Sequence, residues 1–145
     1  MLNKAISIAC KAHEGQLDKG NNPYILHPLR VMLNMKTDFE RTCAVLHDVV
    51  EDSEITFEDL RAEGFSEEVI EILTHLTKRD DENYDQFIDR VLLDQTACKI
   101  KIADLEDNMY RKRIPNPTPK DEARFEKYKR SMCRLSDTSG EKEQQ

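Results

Sequence analysis

Residues 38–52 read DFERTCAVLHDVVED. The apolar members Phe39, Cys43, Val45, Leu46, Val49 and Val50 recur at intervals of three and four. That is the period of a helix with a buried face, not the alternation of a strand. No glycine or proline interrupts the run, so the pattern predicts one helix. Asp38 is its N-cap candidate, with Arg41 where a capping box would place Glu. Within this apolar stretch stand His47 and Asp48, polar groups that are costly to bury without partners.

The helical period continues on both sides. Residues 2–13 carry Leu2, Ile6, Ala9, Cys10 and Ala12 as a stripe, and GQLDKGNNP (15–23) reads as a loop. A second helix is expected to open near His27-Pro28, with Pro in its first turn, and to carry Leu29, Val31, Met32 and Met35. Thr56 caps a short helix ended by Gly64, and Ser66 caps the next, whose stripe is Val69, Ile70, Ile72, Leu73 and Leu76. RDDENYD (79–85) reads as a solvated connection. Two further helices, Tyr84–Leu93 and Thr96–Tyr110, are split near Asp94. The prolines of IPNPTPK (114–120) impose an extended segment before a last helix from about Lys120 to Leu135, with Phe125, Tyr128, Met132 and Leu135 on one face. The expectation is an all-α bundle of about seven or eight helices, one domain over residues 1–135, followed by an acidic tail (136–145) with nothing to pack and expected to be disordered.

Composition fits this reading. Only four of 145 residues are glycine, five are proline and none is tryptophan, which disfavours a strand-and-turn architecture. No apolar run is long enough to span a membrane, and the start MLNKAISIAC turns polar too early for a secretory signal, so a soluble cytoplasmic protein is expected. Net charge is −7, from 22 basic and 29 acidic residues. A nucleic-acid partner is therefore not expected, since phosphate neutralisation needs a basic surplus. A local basic stretch, Arg111-Lys112-Arg113, comes shortly after Glu106 and Asp107. Cys10, Cys43, Cys98 and Cys133 lack metal or disulfide spacing and read as four buried, reduced thiols. Oligomeric state is not legible.

Four histidines are the natural place to look for chemistry: His13, His27, His47 and His75. His47 and Asp48 point about 100° apart on a helix, so both can approach one ion beside it. Glu51 and Asp52 follow each of them by four residues, which would put all four on one side of a continuous helix. An acid pair beside a metal suits water activation and leaving-group protonation. The alternative is that Glu51 and Asp52 are the solvated end of the helix. Asp104 lies among apolar residues in KIKIADLEDN, with Lys101 and Asn108 on its own face. It reads either as a ligand or as the partner of Lys101. His27, in PYILHP, reads as structural or as a ligand, whereas His13 and His75 read as core or surface residues. Two imidazoles and two carboxylates suit Mn²⁺, Fe²⁺ or Zn²⁺, and Mn²⁺ if the geometry is octahedral.

Three segments, AHEGQLDKGNNPYILHPLRV, AVLHDVVEDSEITFEDL and KIADLEDNM, cover residues 12–109 and together resemble the HD-domain metal-dependent phosphohydrolases. The resemblance is closest to the hydrolase domain of RelA/SpoT-type alarmone enzymes and to small stand-alone alarmone hydrolases. It implies His27, His47, Asp48 and Asp104 as metal ligands, usually of Mn²⁺. It further implies Glu51 and Asp52 as the groups that orient or deprotonate water and manage the leaving group, and Lys19 and Asn108 as nucleotide contacts. The reaction it implies removes the 3′-diphosphate from guanosine 3′,5′-bis(diphosphate). Asp18, Leu105 and Tyr110 stand where the family commonly has Arg, Arg and Arg, so the hydrolytic set matches better than the substrate pocket. The alternatives are hydrolysis of another nucleotide or phosphorylated cofactor, and a non-catalytic nucleotide sensor.

Overall fold

In a computed structural model, residues 1–110, 114 and 116–143 are described, with side chains as far as residue 137. Among them nine helices follow in order: α1 (Leu2–Ala12), α2 (Leu26–Leu33), α3 (Asp38–Leu46), α4 (Val49–Asp52), α5 (Phe57–Ala62), α6 (Glu67–Leu76), α7 (Tyr84–Val91), α8 (Gln95–Asn108) and α9 (Pro119–Glu143). No strand occurs among the described residues, and a single bridge pairs Leu17 with Pro23 across the glycine-asparagine loop. The all-α expectation holds. The helix count is higher because the stretch expected as one helix over residues 38–50 is two, broken at His47-Asp48.

Local chemistry sets the helix ends. Thr37, not Asp38, caps α3: its hydroxyl accepts from the Glu40 amide while the Glu40 carboxylate accepts from the Thr37 amide. The reciprocal box needs an acid three residues on, which Thr37 has and Asp38 lacks. Thr56 with Asp59 and Asn83 with Gln86 repeat the device, and Ser66 caps α6 as expected. Gly64 ends α5 at φ 98°, a left-handed conformation that a side chain would strain.

Two helices are enclosed on several sides. α3 packs against α1, α2, α6 and α8, and α8 packs against α2, α3, α6, α7 and α9. Leu46, Val49, Leu60, Leu73, Ile88, Ile100, Leu105 and Leu135 are fully buried between them and their neighbours, each contributing about 1.5–3 kcal/mol of burial. Because α8 is covered nearly all round, it buries Asp104 and Ala103 as well as Cys98 and Ile100.

Three expectations need correction. Cys43 and Cys98 are buried, but Cys10 and Cys133 are exposed, each one residue round the helix from an inward-facing neighbour. The 79–85 connection is not wholly solvated, since Glu82 pairs with Arg90, whose guanidinium also donates to the Thr74 and Thr77 carbonyls. The last helix does not stop near Leu135 but runs from Pro119 to Glu143. Arg111-Lys112-Arg113, Gln144 and Gln145 lie outside the described residues. Among the described residues no helix is long and apolar enough to cross a membrane.

Candidate active site

The break after α3 is built by His47. In an uninterrupted helix the Ala44 carbonyl would accept from the Asp48 amide. Here it accepts from the His47 amide at 3.3 Å and from His47 Nδ1 at 2.6 Å. A side chain inserted into the ladder is a recognised cause of a kink. The chain turns at Asp48 (φ −103°, ψ −4°) and resumes as α4. Residues 38–52 are therefore not one continuous helix, although Asp52 still follows Asp48 by one turn, its amide donating to the Asp48 carbonyl at 3.0 Å.

The kink aims His47 and Asp48 at α2 and α8. His27, in the first turn of α2, and Asp104, in the last half of α8, complete the group. One donor atom from each of His27, His47, Asp48 and Asp104 lies within 4.8 Å of every other. Asp104 Oδ1 is 2.8 Å from His27 Nε2 and 3.1 Å from His47 Nε2, and Asp48 Oδ2 is 3.0 Å from His47 Nε2 and 3.6 Å from His27 Nε2. All are buried except Asp48, which is partly open to the cavity.

A surrounding set of groups fixes each of the four. His27 Nδ1 donates to Asp107 Oδ2 at 2.6 Å, and Arg30 clamps the same carboxylate through Nε (2.6 Å) and Nη2 (3.1 Å). Tyr24 donates its hydroxyl to Asp48 Oδ2 at 2.6 Å. Lys101 and Asn108, from positions i−3 and i+4, donate to Asp104 at 2.8 and 3.3 Å. Sequence reasoning placed Lys101 and Asn108 on the Asp104 face but missed Tyr24, Arg30 and Asp107. The signal for Asp107 is its spacing: three residues after Asp104 on the same helix, it meets Nδ1 of the imidazole whose Nε2 faces Asp104.

The donor set fits a cation. With both Nδ1 atoms donating outward, each neutral imidazole turns an Nε2 lone pair toward two carboxylates. Acceptors at 2.8–3.6 Å need a proton or a cation between them. In the bare cluster protons do this work. Burial opposes charge on both rings, yet Asp104 and Asp107 hold the His27 pKa above its ordinary value, and Asp48 and Asp104 hold that of His47 well above. Burial likewise resists ionisation of the acids, but Lys101 and His47 keep Asp104 well below the usual carboxylate range, and His47 keeps Asp48 below it. A divalent ion at this point replaces two protons, and the N₂O₂ set with adjacent open space suits one that keeps water or substrate oxygens.

Glu51 stands at the rim. Its Oε1 accepts from the Lys78 amide at 2.6 Å, and it lines a cavity of about 200 Å³ with Asp48, Asp104, Lys101, Asn108 and Tyr84. Partial burial raises the Glu51 pKa above its ordinary value despite the Lys78 N–H, with Asp48 adding to the rise. Asp52 is also raised, by burial and Asp48, and interacts with His13 and Tyr24. Tyr24, Asn108 and Tyr128 are shared with a second cavity of about 320 Å³, lined also by Lys19, Arg124 and Phe125. Lys19 and Asn108, the expected nucleotide contacts, thus share a wall next to the four-residue cluster. Asp18 has a local role: its Oδ1 accepts from the amides of Gly20 (2.8 Å) and Asn22 (3.0 Å), which shapes the loop.

No family model matches the chain. Against curated proteins it is 34% identical over 123 residues to guanosine-3′,5′-bis(diphosphate) 3′-pyrophosphohydrolase of Vibrio cholerae serotype O1 and, equally, to the bifunctional (p)ppGpp synthase/hydrolase SpoT of Escherichia coli K12. Each match takes in 74% of this chain. The chain is thus similar, over most of its length, to one part of these SpoT-type proteins. It spans 17% of the length of these SpoT-type relatives. The fold agrees: a solved structure of a metazoan SpoT orthologue, reported to hydrolyse ppGpp and to play a role in starvation responses, superposes with a TM-score of 0.76 at 20% identity, over 97% of this chain and 92% of that one.

Proposed function

We propose that this protein is a metal-dependent hydrolase that removes the 3′-diphosphate from guanosine 3′,5′-bis(diphosphate). The observation that carries the reading is the convergence of His27, His47, Asp48 and Asp104 beside a two-part cavity. The names of the curated relatives support the same chemistry. In this reading the four residues hold one divalent cation, with Mn²⁺ expected. When bound, the cation supplies Lewis-acid polarisation of phosphate and water.

The rest is done by the chain. Hydrolysis exchanges the bond from phosphorus to the ribose 3′ oxygen for one to the oxygen of water, releasing guanosine 5′-diphosphate and diphosphate. Glu51, its pKa raised by partial burial and its carboxylate facing the cavity, takes the proton of water. Asp52, on the Tyr24 side, orients that exchange and helps to manage the leaving group. Tyr24 stays protonated and holds Asp48 in place. Lys19 and Asn108 contact the nucleotide. Burial, together with the neighbouring Arg124, Lys101, Arg130 and Lys78, lowers the Lys127 pKa, so these cations set a local positive field around it in a chain of net charge −7. Such a field suits a polyphosphate. A soluble nucleotide substrate is consistent with a cytoplasmic enzyme, with neither nucleic acid nor membrane as partner.

The test is a nucleotide panel offered to the Mn²⁺-loaded protein, with Asp48→Ala and Glu51→Ala alongside. Release of diphosphate from the alarmone, lost in both variants, supports the reading. Activity confined to other nucleotide phosphates refutes the substrate, and tight nucleotide binding without turnover refutes the enzyme.

A further inference from the structure

We propose that Asp121 is a positioning residue for the nucleotide cavity: one buried carboxylate sets two cations from distant parts of the chain, Lys19 and Arg124, side by side on the same wall. The inference rests on the reading of that cavity as the nucleotide site. Both cations line it, and Asp121 is not among the lining residues.

The geometry divides the carboxylate between two tasks. Oδ2 accepts from the Thr118 amide at 2.9 Å and the Thr118 hydroxyl at 3.0 Å, while that hydroxyl accepts from the Asp121 amide at 3.2 Å. This is a capping box at the start of α9, and it prevents the carboxylate from swinging. Oδ1 is left for Lys19 Nζ at 2.8 Å and Arg124 Nη2 at 3.3 Å. The Asp121 side chain is 8% exposed, against 48% for Lys19 and 27% for Arg124. A fixed anion therefore holds two mobile cations. Lys19 and the Thr118 groups keep the Asp121 pKa well below the usual carboxylate range.

Two like charges on long, flexible side chains would otherwise separate into solvent, and a ligand would have to gather them against repulsion and lost rotamer freedom. With Asp121 behind them they are gathered beforehand. A substrate with a diphosphate group meets a preset pair, and the benefit appears in binding rather than in the chemical step. The contact also ties the 15–23 loop to α9 across 102 residues of sequence, which no local pattern signals.

The experiment compares wild type with Asp121→Asn, and with Asp121→Gln, which can complete the capping box without charge. Each change is also made in a Lys19→Met/Arg124→Met background. KM and kcat for guanosine 3′,5′-bis(diphosphate) are measured with Mn²⁺, and the affinity for guanosine 5′-diphosphate by calorimetry. The expected result is a KM rise and an affinity loss of about five- to tenfold, with kcat within about twofold. Asp121→Glu, which keeps the charge, should recover part of the loss. In the doubly substituted background, loss of the Asp121 charge should change affinity by less than about twofold. Unchanged or tighter binding in both neutral variants, or a full additional loss in that background, overturns the positioning role while leaving the cavity assignment intact. Wild type that neither binds guanosine 5′-diphosphate nor hydrolyses the alarmone overturns the cavity assignment and the proposal with it.

Discussion

His27 Nδ1 donates to Asp107 Oδ2 at 2.6 Å, and Arg30 holds that carboxylate from its far side. The contact fixes the tautomer of His27 and points Nε2 at Asp104 and Asp48. Asp107→Asn should therefore weaken Mn²⁺ binding about 10–100-fold while the helical fold persists. Calorimetric titration together with far-UV circular dichroism checks both halves.

In the bare cluster protons bridge carboxylates and imidazoles about 3 Å apart, and a bound cation takes their place. Metal should accordingly raise the thermal midpoint, by the equivalent of about 2.7 kcal/mol at a hundred times Kd. Chelation should reverse this, and Asp48→Ala should be insensitive to both. Scanning calorimetry at several Mn²⁺ concentrations measures the effect.

Glu51 faces the cavity from outside the donor cluster. Glu51→Gln keeps the acceptor for the Lys78 amide but removes the base. A fall in kcat of about 10²–10⁴-fold is expected, with metal affinity close to wild type. Equal losses in both would assign Glu51 to metal binding instead.

Glu82 supplies a pH test away from the site. The Arg90 guanidinium pulls its carboxyl down from 4.5 to about 2. A carboxylate depressed in the folded state contributes stability that is fully present above its unfolded pKa and is lost as pH falls through the folded value. Between about pH 5 and pH 2 wild type should lose stability more steeply than Glu82→Gln. Urea midpoints across that range give the comparison.

Most of the fold was legible because most helices carry their own stripe and cap. Thr56, Ser66 and Gly64 were read in place, and all four metal-ligand candidates converge. What escaped depends on three-dimensional packing. The kink at His47 arises from a side chain competing for a backbone carbonyl, which apolar periodicity does not report. No local pattern singles out Asp107 or Asp121, because their partners lie 80 and 102 residues away. α8 has no clean polar face because other helices cover it nearly all round, so its pattern could not separate the buried Asp104 from a surface ion pair with Lys101. In the structure the pair is buried: Lys101 bonds one Asp104 oxygen and the histidines meet the other.

The most direct test of the central claim follows guanosine 3′,5′-bis(diphosphate) during incubation with the Mn²⁺-loaded protein. The account predicts guanosine 5′-diphosphate and diphosphate in equal amounts, with release abolished by chelation and by Asp104→Ala. An unchanged alarmone, with one Mn²⁺ shown to be bound per chain, would contradict it.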